Sequence, residues 1–126
     1  MTAGSRRILV VADDEAIRRL LSELLTAEGC ETRAAAGGRE ALTILREWRP
    51  DLIVLDLMMP DLDGWSFLVA QRKPAGARAA PVLLLSAGTG LEAPETAAVG
   101  DVLVKPFELD EFLAAVNRLT GRAGRG

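Results

Sequence analysis

The chain has 126 residues, 18 acidic and 15 basic, with no histidine, one cysteine, a formal charge of −3 and 49% apolar side chains. That suffices for one core and not for two domains, and it excludes an internal disulfide, the usual zinc constellations and every histidine-based catalytic triad. No global basic field exists to draw nucleic acid or an anionic membrane, no apolar stretch could span a bilayer, and MTAGSRR leads into a strand instead of a signal-peptide core, so a cytoplasmic protein is expected.

The first element is the run RILVV at 7–11, which stops against Ala12, Asp13, Asp14 and Glu15. Ile17, Leu20, Leu21, Leu24 and Leu25 then repeat at helical spacing up to a stop at Gly29. A weaker strand, CETRAA, covers 30–35, and Gly37 and Gly38 turn the chain into a second helix. Its stripe is Ala41, Leu42, Leu45 and Trp48, closed by Pro50. DLIVLD at 51–56 is the third strand, and Phe67, Leu68 and Gln71 mark a third helix after DLDG. PVLLLS at 81–86 follows. Three glycines and Pro94 allow only a short or bent helix from about Leu91 to Ala98. The fifth strand is DVLVK at 101–105, and Phe112, Leu113, Val116 and Leu119 form the last helix.

Continuous apolar runs suit strands covered on both faces. Five β-then-α repeats with right-handed crossovers predict an α/β doubly wound parallel sheet, which binds ligands at the carboxyl ends of its strands. Those ends carry Asp13 and Asp14, Asp56, Ser86 and Lys105. Two carboxylates about 5 Å apart repel by roughly 3 kcal/mol at an effective dielectric of 20. A cluster of this kind calls for a cation, which Lys105 and a hard divalent ion such as Mg²⁺ would supply.

With its acidic cluster after ILVV, DLIVLDLMMPDLDG, VLLLSA and LVKPF, the chain resembles a response regulator receiver domain from Arg7 to Leu119. The resemblance implies a flavodoxin-like fold with strand order 2-1-3-4-5. It also implies Mg²⁺- or Mn²⁺-dependent phosphorylation by a sensor histidine kinase or phosphotransfer protein, and a switching face built by the fourth helix, fifth strand and fifth helix. On this reading residues 1–6 are an extension, 7–120 the receiver domain and 121–126 a flexible tail. The receiver would answer to a downstream protein target or output domain, with no direct nucleic-acid or membrane contact, and homodimerisation is left open. It would not be an enzyme beyond promoting its own phosphorylation and dephosphorylation.

Carried over by position, Asp56 matches the phosphoacceptor and a metal ligand, and Met58 the residue whose backbone carbonyl binds the metal. Ser86 matches the hydroxyl that bonds the phosphoryl oxygen, Lys105 the lysine that pairs with it, and Pro106 a proline whose preceding peptide is usually cis. Two alignments stay open at the acids. Without a gap, Asp13 falls on the metal-touching acid and Ala12 replaces its acidic partner; with a one-residue deletion, Asp13 and Asp14 form the pair. Val102 stands where the family often has an aromatic switch residue.

Plainer roles stand beside these. Asp13 or Asp14 could instead cap the helix, a role that for Asp14 weighs as much as metal binding; Asp61 and Asp63 suit turn or cap positions, Trp48 a partly buried helix position, Trp65 a reporter, and Cys30 a small core position. Asp56 precedes an apolar loop, which capping explains poorly. The competing function is a constitutive protein-binding module with weak or no phosphorylation, argued from Ala12 and Val102. An aspartate-nucleophile phosphohydrolase would need an acid where Met58 stands.

Overall fold

The computed structural model describes residues 6–56, 80–86, 101–104 and 107–121. The helices expected around Phe67 and between Leu91 and Ala98 lie outside these residues, as do Met58, Asp61, Asp63, Trp65, Lys105, Pro106 and both chain ends.

The strands are β1 (Arg7–Val11), β2 (Glu31–Ala35), β3 (Leu52–Asp56), β4 (Val82–Ser86) and β5 (Asp101–Val104), with helices α1 (Glu15–Ala27), α2 (Gly38–Leu45) and a C-terminal α3 (Leu109–Leu119). All pairings are parallel and the order is β2-β1-β3-β4-β5, the predicted doubly wound sheet. The alternation of side chains along each strand divides the core in two. Ile8, Val10, Leu52, Val54, Leu83 and Leu85 face α1 and α3, meeting Leu21, Leu25, Phe112 and Val116. Leu9, Val11, Ile53, Leu55, Val82 and Leu84 face the α2 side, meeting Ala41 and Trp48. Because both faces are covered, these strands have no room for polar alternation.

Local chemistry sets the ends of the elements. After α1 the Gly29 N–H bonds Thr26 O at 2.9 Å and the Cys30 N–H bonds Leu25 O at 3.0 Å. This Schellman closure needs the φ of +90° that Gly29 adopts. It also delivers Cys30 into the same core cluster as Leu25, the expected core role. Asp51 ties the start of β3 to β1, its N–H donating to Arg7 O and its Oδ2 accepting from Arg7 N at 2.9 Å.

Two expectations need correction. The α2 stripe does not extend to Trp48: the helix stops at Leu45, and its exit tightens through Arg46 N–H to Thr43 O and Glu47 N–H to Ile44 O. Trp48, whose N–H still bonds Ile44 O at 3.0 Å, is a buried loop residue. Its Nε1–H faces Glu31 Oε2 at 3.4 Å and the Arg33 guanidinium lies 5.0 Å over its ring. Leu20, read as part of the α1 stripe, is 54% exposed, because the buried stripe centres on Leu21 and Leu25 and Leu20 lies about 100° around the helix from Leu21.

Candidate functional site

The parallel register sets the geometry of the site. Along β1 and β3 the partners run Ile8 with Leu52 through Val11 with Leu55, so the next step brings Ala12 level with Asp56 on strands about 4.8 Å apart. Asp56 in turn pairs with Leu85, which puts Ser86 one residue beyond it, and Ser86 pairs with Val104. The carboxyl ends of β1, β3, β4 and β5 therefore form one row, in the order Ala12, Asp56, Ser86 and Val104, with Asp13 just past the first. Lys105, next in sequence after Val104, lies outside the described residues.

Asp56 is 6% exposed and is the one buried charged residue among the described residues. Keeping a carboxylate at that depth is expensive unless a cation or hydrogen-bond donors compensate it, which core packing alone would never select.

The β1–α1 loop takes three residues in three different directions. Ala12 is 1% exposed and extends the β1–β2 ladder, its N–H reaching Ala35 O at 3.0 Å. Asp13 is exposed. Asp14 is the N-cap of α1, with extended backbone (φ −80°, ψ 123°) and Oδ1 accepting from Ala16 N at 2.8 Å and Ile17 N at 3.2 Å. The capping role considered for Asp14 is what the geometry shows.

A residue missed in the sequence holds this loop from the first turn of α1. Arg18 Nη1 donates to Ala12 O at 2.8 Å and to Asp13 O at 3.4 Å, and the Arg18 backbone N–H bonds Asp14 O at 2.9 Å. The signal available was its place four residues after the cap, one helical turn in. Its neighbour Arg19 shares the charge but instead meets Glu15 at 3.9 Å in an exposed pair, which contributes little.

The chain matches the model of the response regulator receiver domain over residues 8–117. It belongs to that family. The DNA-binding response regulator MtrA of Mycobacterium tuberculosis H37Rv is 37% identical over 123 residues, covering 92% of this chain and 51% of the relative. The chain thus spans about half the length of MtrA. Among solved structures, the chemotaxis response regulator CheY4 of Vibrio cholerae superposes with a TM-score of 0.77 at 36% identity, covering 91% of this chain and 98% of that one. TrrA of Thermotoga maritima, solved with Mg²⁺ and BeF, gives a TM-score of 0.74 at 34% identity, covering 90% and 98%. TrrA has also been solved bound to the histidine kinase ThkA, and there the TM-score is 0.75 at 36% identity, covering 90% and 97%.

This receiver's donor set suits a hard ion. Among the described residues no three acidic, histidine or cysteine side chains gather into a metal site, but Mg²⁺ is usually held by only one or two carboxylates, with waters and a phosphate completing six-fold coordination. Buried Asp56, with Asp13 two residues past the end of the adjacent β1, fits that pattern. Among the described residues no helix is long and apolar enough to cross a membrane.

Proposed function

We propose that this receiver accepts a phosphoryl group on Asp56 from a histidine kinase or phosphotransfer protein in the cytoplasm and passes the change to a protein target or to an output module of a longer parent chain. The observation that carries the reading is the buried carboxylate of Asp56 at the carboxyl end of the central strand, level with the end of β1, in a chain of the receiver family. An Asp56 carboxylate oxygen attacks phosphorus, the bond from phosphorus to the donor breaks, and the leaving group takes up a proton. Asp13, Asp56 and the Met58 carbonyl would hold Mg²⁺ or Mn²⁺, which when bound offsets the charge of the phosphoryl oxygens. On this reading Lys105 would pair with one of those oxygens and the Ser86 hydroxyl would donate to another. The added charge of about −1.5 to −2 then acts on the sheet edge through these two residues.

The capping geometry supports the ungapped alignment: Asp14 Oδ1 is engaged by α1, which favours Asp13 as the metal-touching acid of the loop. Asp14→Ala is expected to destabilise the fold by about 1 kcal/mol in urea denaturation. Asp14→Ser should restore that loss through its own hydroxyl cap, with Mg²⁺ affinity equal to that of the wild type. A large fall in affinity in the serine variant would make Asp14 a ligand.

Ala12 favours a second reading, a binding module with weak phosphorylation. A buried methyl group stands beside Asp56 where the family has an acid, so one outer carboxylate that would orient metal-bound water is gone. Ala12→Asp is expected to tighten Mg²⁺ binding about tenfold. Without metal the same variant should lose up to roughly 3 kcal/mol of stability from its repulsion with Asp56. Parallel Mg²⁺ titrations and melts read both effects.

The deciding experiment is intact-mass analysis of the folded chain after incubation with a small acyl phosphate, with and without Mg²⁺. One phosphoryl adduct that requires the metal and maps to Asp56 is expected. A folded chain that gains none, under conditions that phosphorylate another receiver, overturns the first reading in favour of the second.

A further inference from the structure

We infer that Arg18 is a positioning residue for the metal-binding carboxylate of Asp13, acting through the loop backbone without touching the metal or the phosphoryl group. The inference rests on the receiver reading above.

Three successive carbonyls of the β1–α1 loop are held from this one residue. The guanidinium takes Ala12 O at 2.8 Å and, more weakly, Asp13 O at 3.4 Å. The main-chain N–H takes Asp14 O at 2.9 Å. Asp14 is fixed from its other side by its cap bonds to Ala16 N and Ile17 N, and Ala12 by its ladder bond to Ala35 O. Asp13 is thus the exposed residue between two anchored neighbours, and its own carbonyl is held as well.

The arrangement matters more here than it would with an acid at position 12. An outer carboxylate normally helps to orient the ligands and waters of such a site, and Ala12 has none to offer. Orientation of Asp13 then falls to its backbone, and a site held loosely by even a fraction of an ångström loses affinity. Arg18 suits this task because it is half-buried and its charged N–H donors make stronger bonds to carbonyl oxygen than a neutral donor would.

Charge alone predicts the opposite result to positioning. A guanidinium beside an acidic cation site repels Mg²⁺, so removing it would tighten binding if repulsion were its main effect. Positioning predicts weakening. The experiment is an Mg²⁺ titration of the full chain followed by backbone amide shifts at Asp13 and Asp56, with hydrogen exchange of the Asp13 and Asp14 amides measured without metal. Arg18→Met keeps the apolar stem and helix propensity and removes the donors. It is expected to weaken Mg²⁺ binding about tenfold and to speed exchange at both amides. Arg18→Lys, with a charged donor on a shorter stem, is expected to recover part of the affinity, and it serves as the test variant if Arg18→Met does not fold.

Unchanged or tighter Mg²⁺ binding in a folded Arg18→Met overturns the inference. Faster exchange with unchanged affinity also overturns it, since the bonds would then serve the fold alone. If the wild type itself shows no Mg²⁺-dependent shifts, the receiver reading fails and the inference falls with it; if the wild type binds and the variant binds equally, only the inference fails.

Discussion

Asp56→Asn is expected to abolish phosphoryl transfer to the chain while making the metal-free fold more stable. Asparagine has nearly the same shape but no charge and a far weaker nucleophile, so no adduct should form with or without Mg²⁺. The gain in stability follows from burial. At 6% exposure an ionised carboxylate forfeits most of its hydration, a penalty that a neutral amide largely escapes. A rise of about 1 kcal/mol in the unfolding free energy is expected, the low end of the cost of burying an uncompensated polar group. The two proteins should also part company when metal is added. Mg²⁺ at one hundred times its dissociation constant stabilises the wild type by about 2.7 kcal/mol, and the variant, lacking a charged ligand, should gain much less. Thermal melts with and without Mg²⁺ check both statements. A variant less stable than the metal-free wild type would mean that the Asp56 carboxylate is well compensated by the protein alone.

The second large effect is expected in the core. Phe112 has no exposed surface, is the largest of the fully buried side chains among the described residues, and shares the core cluster that joins α3 to β1, β3 and β4. Its ring also stacks with Phe107 at 6.1 Å between centroids and 21° between planes. Truncation removes the transfer energy of the ring and leaves a cavity that a sheet of paired strands cannot close. Phe112→Ala is therefore expected to lose about 3–5 kcal/mol, a large part of the 5–15 kcal/mol typical of a whole domain. Urea denaturation measures it, with Leu20→Ala as the control: that side chain is 54% exposed and its loss should stay within about 0.5 kcal/mol. If Phe112→Ala cost as little as Leu20→Ala, α3 would not be part of the cooperative unit.

Together these variants separate the two demands on β3 and its neighbours. Leu52 to Leu55 are buried apolar residues, whereas Asp56, the next residue on the same strand, buries a carboxylate whose charge needs compensation. A buried charge at a sheet end is what the proposed receiver function asks of β3.

The sequence by itself determined the strands, because runs such as RILVV and LIVLD are apolar at every position and only a sheet covered on both faces can bury them. It also determined the order of the elements, the family, and Asp56 as the acid that capping could not explain. Its failures were local and have a common cause. Trp48 continues the α2 spacing in sequence, yet the helix has already ended at Leu45; Leu20 fits an apolar stripe, yet the sheet covers only part of that face. Periodicity reports which residues could share a face, and packing decides which of them do. The tertiary structure alone decided how the strand ends are arranged. Only the register of β1 against β3 brings Ala12 level with Asp56, only the start of α1 commits Asp14 to a cap, and only the path of a long side chain back across one helical turn joins Arg18 to the carbonyls of Ala12 and Asp13. Each of these depends on hydrogen bonds between groups whose directions are set once the backbone is placed, and no spacing in the sequence encodes a direction.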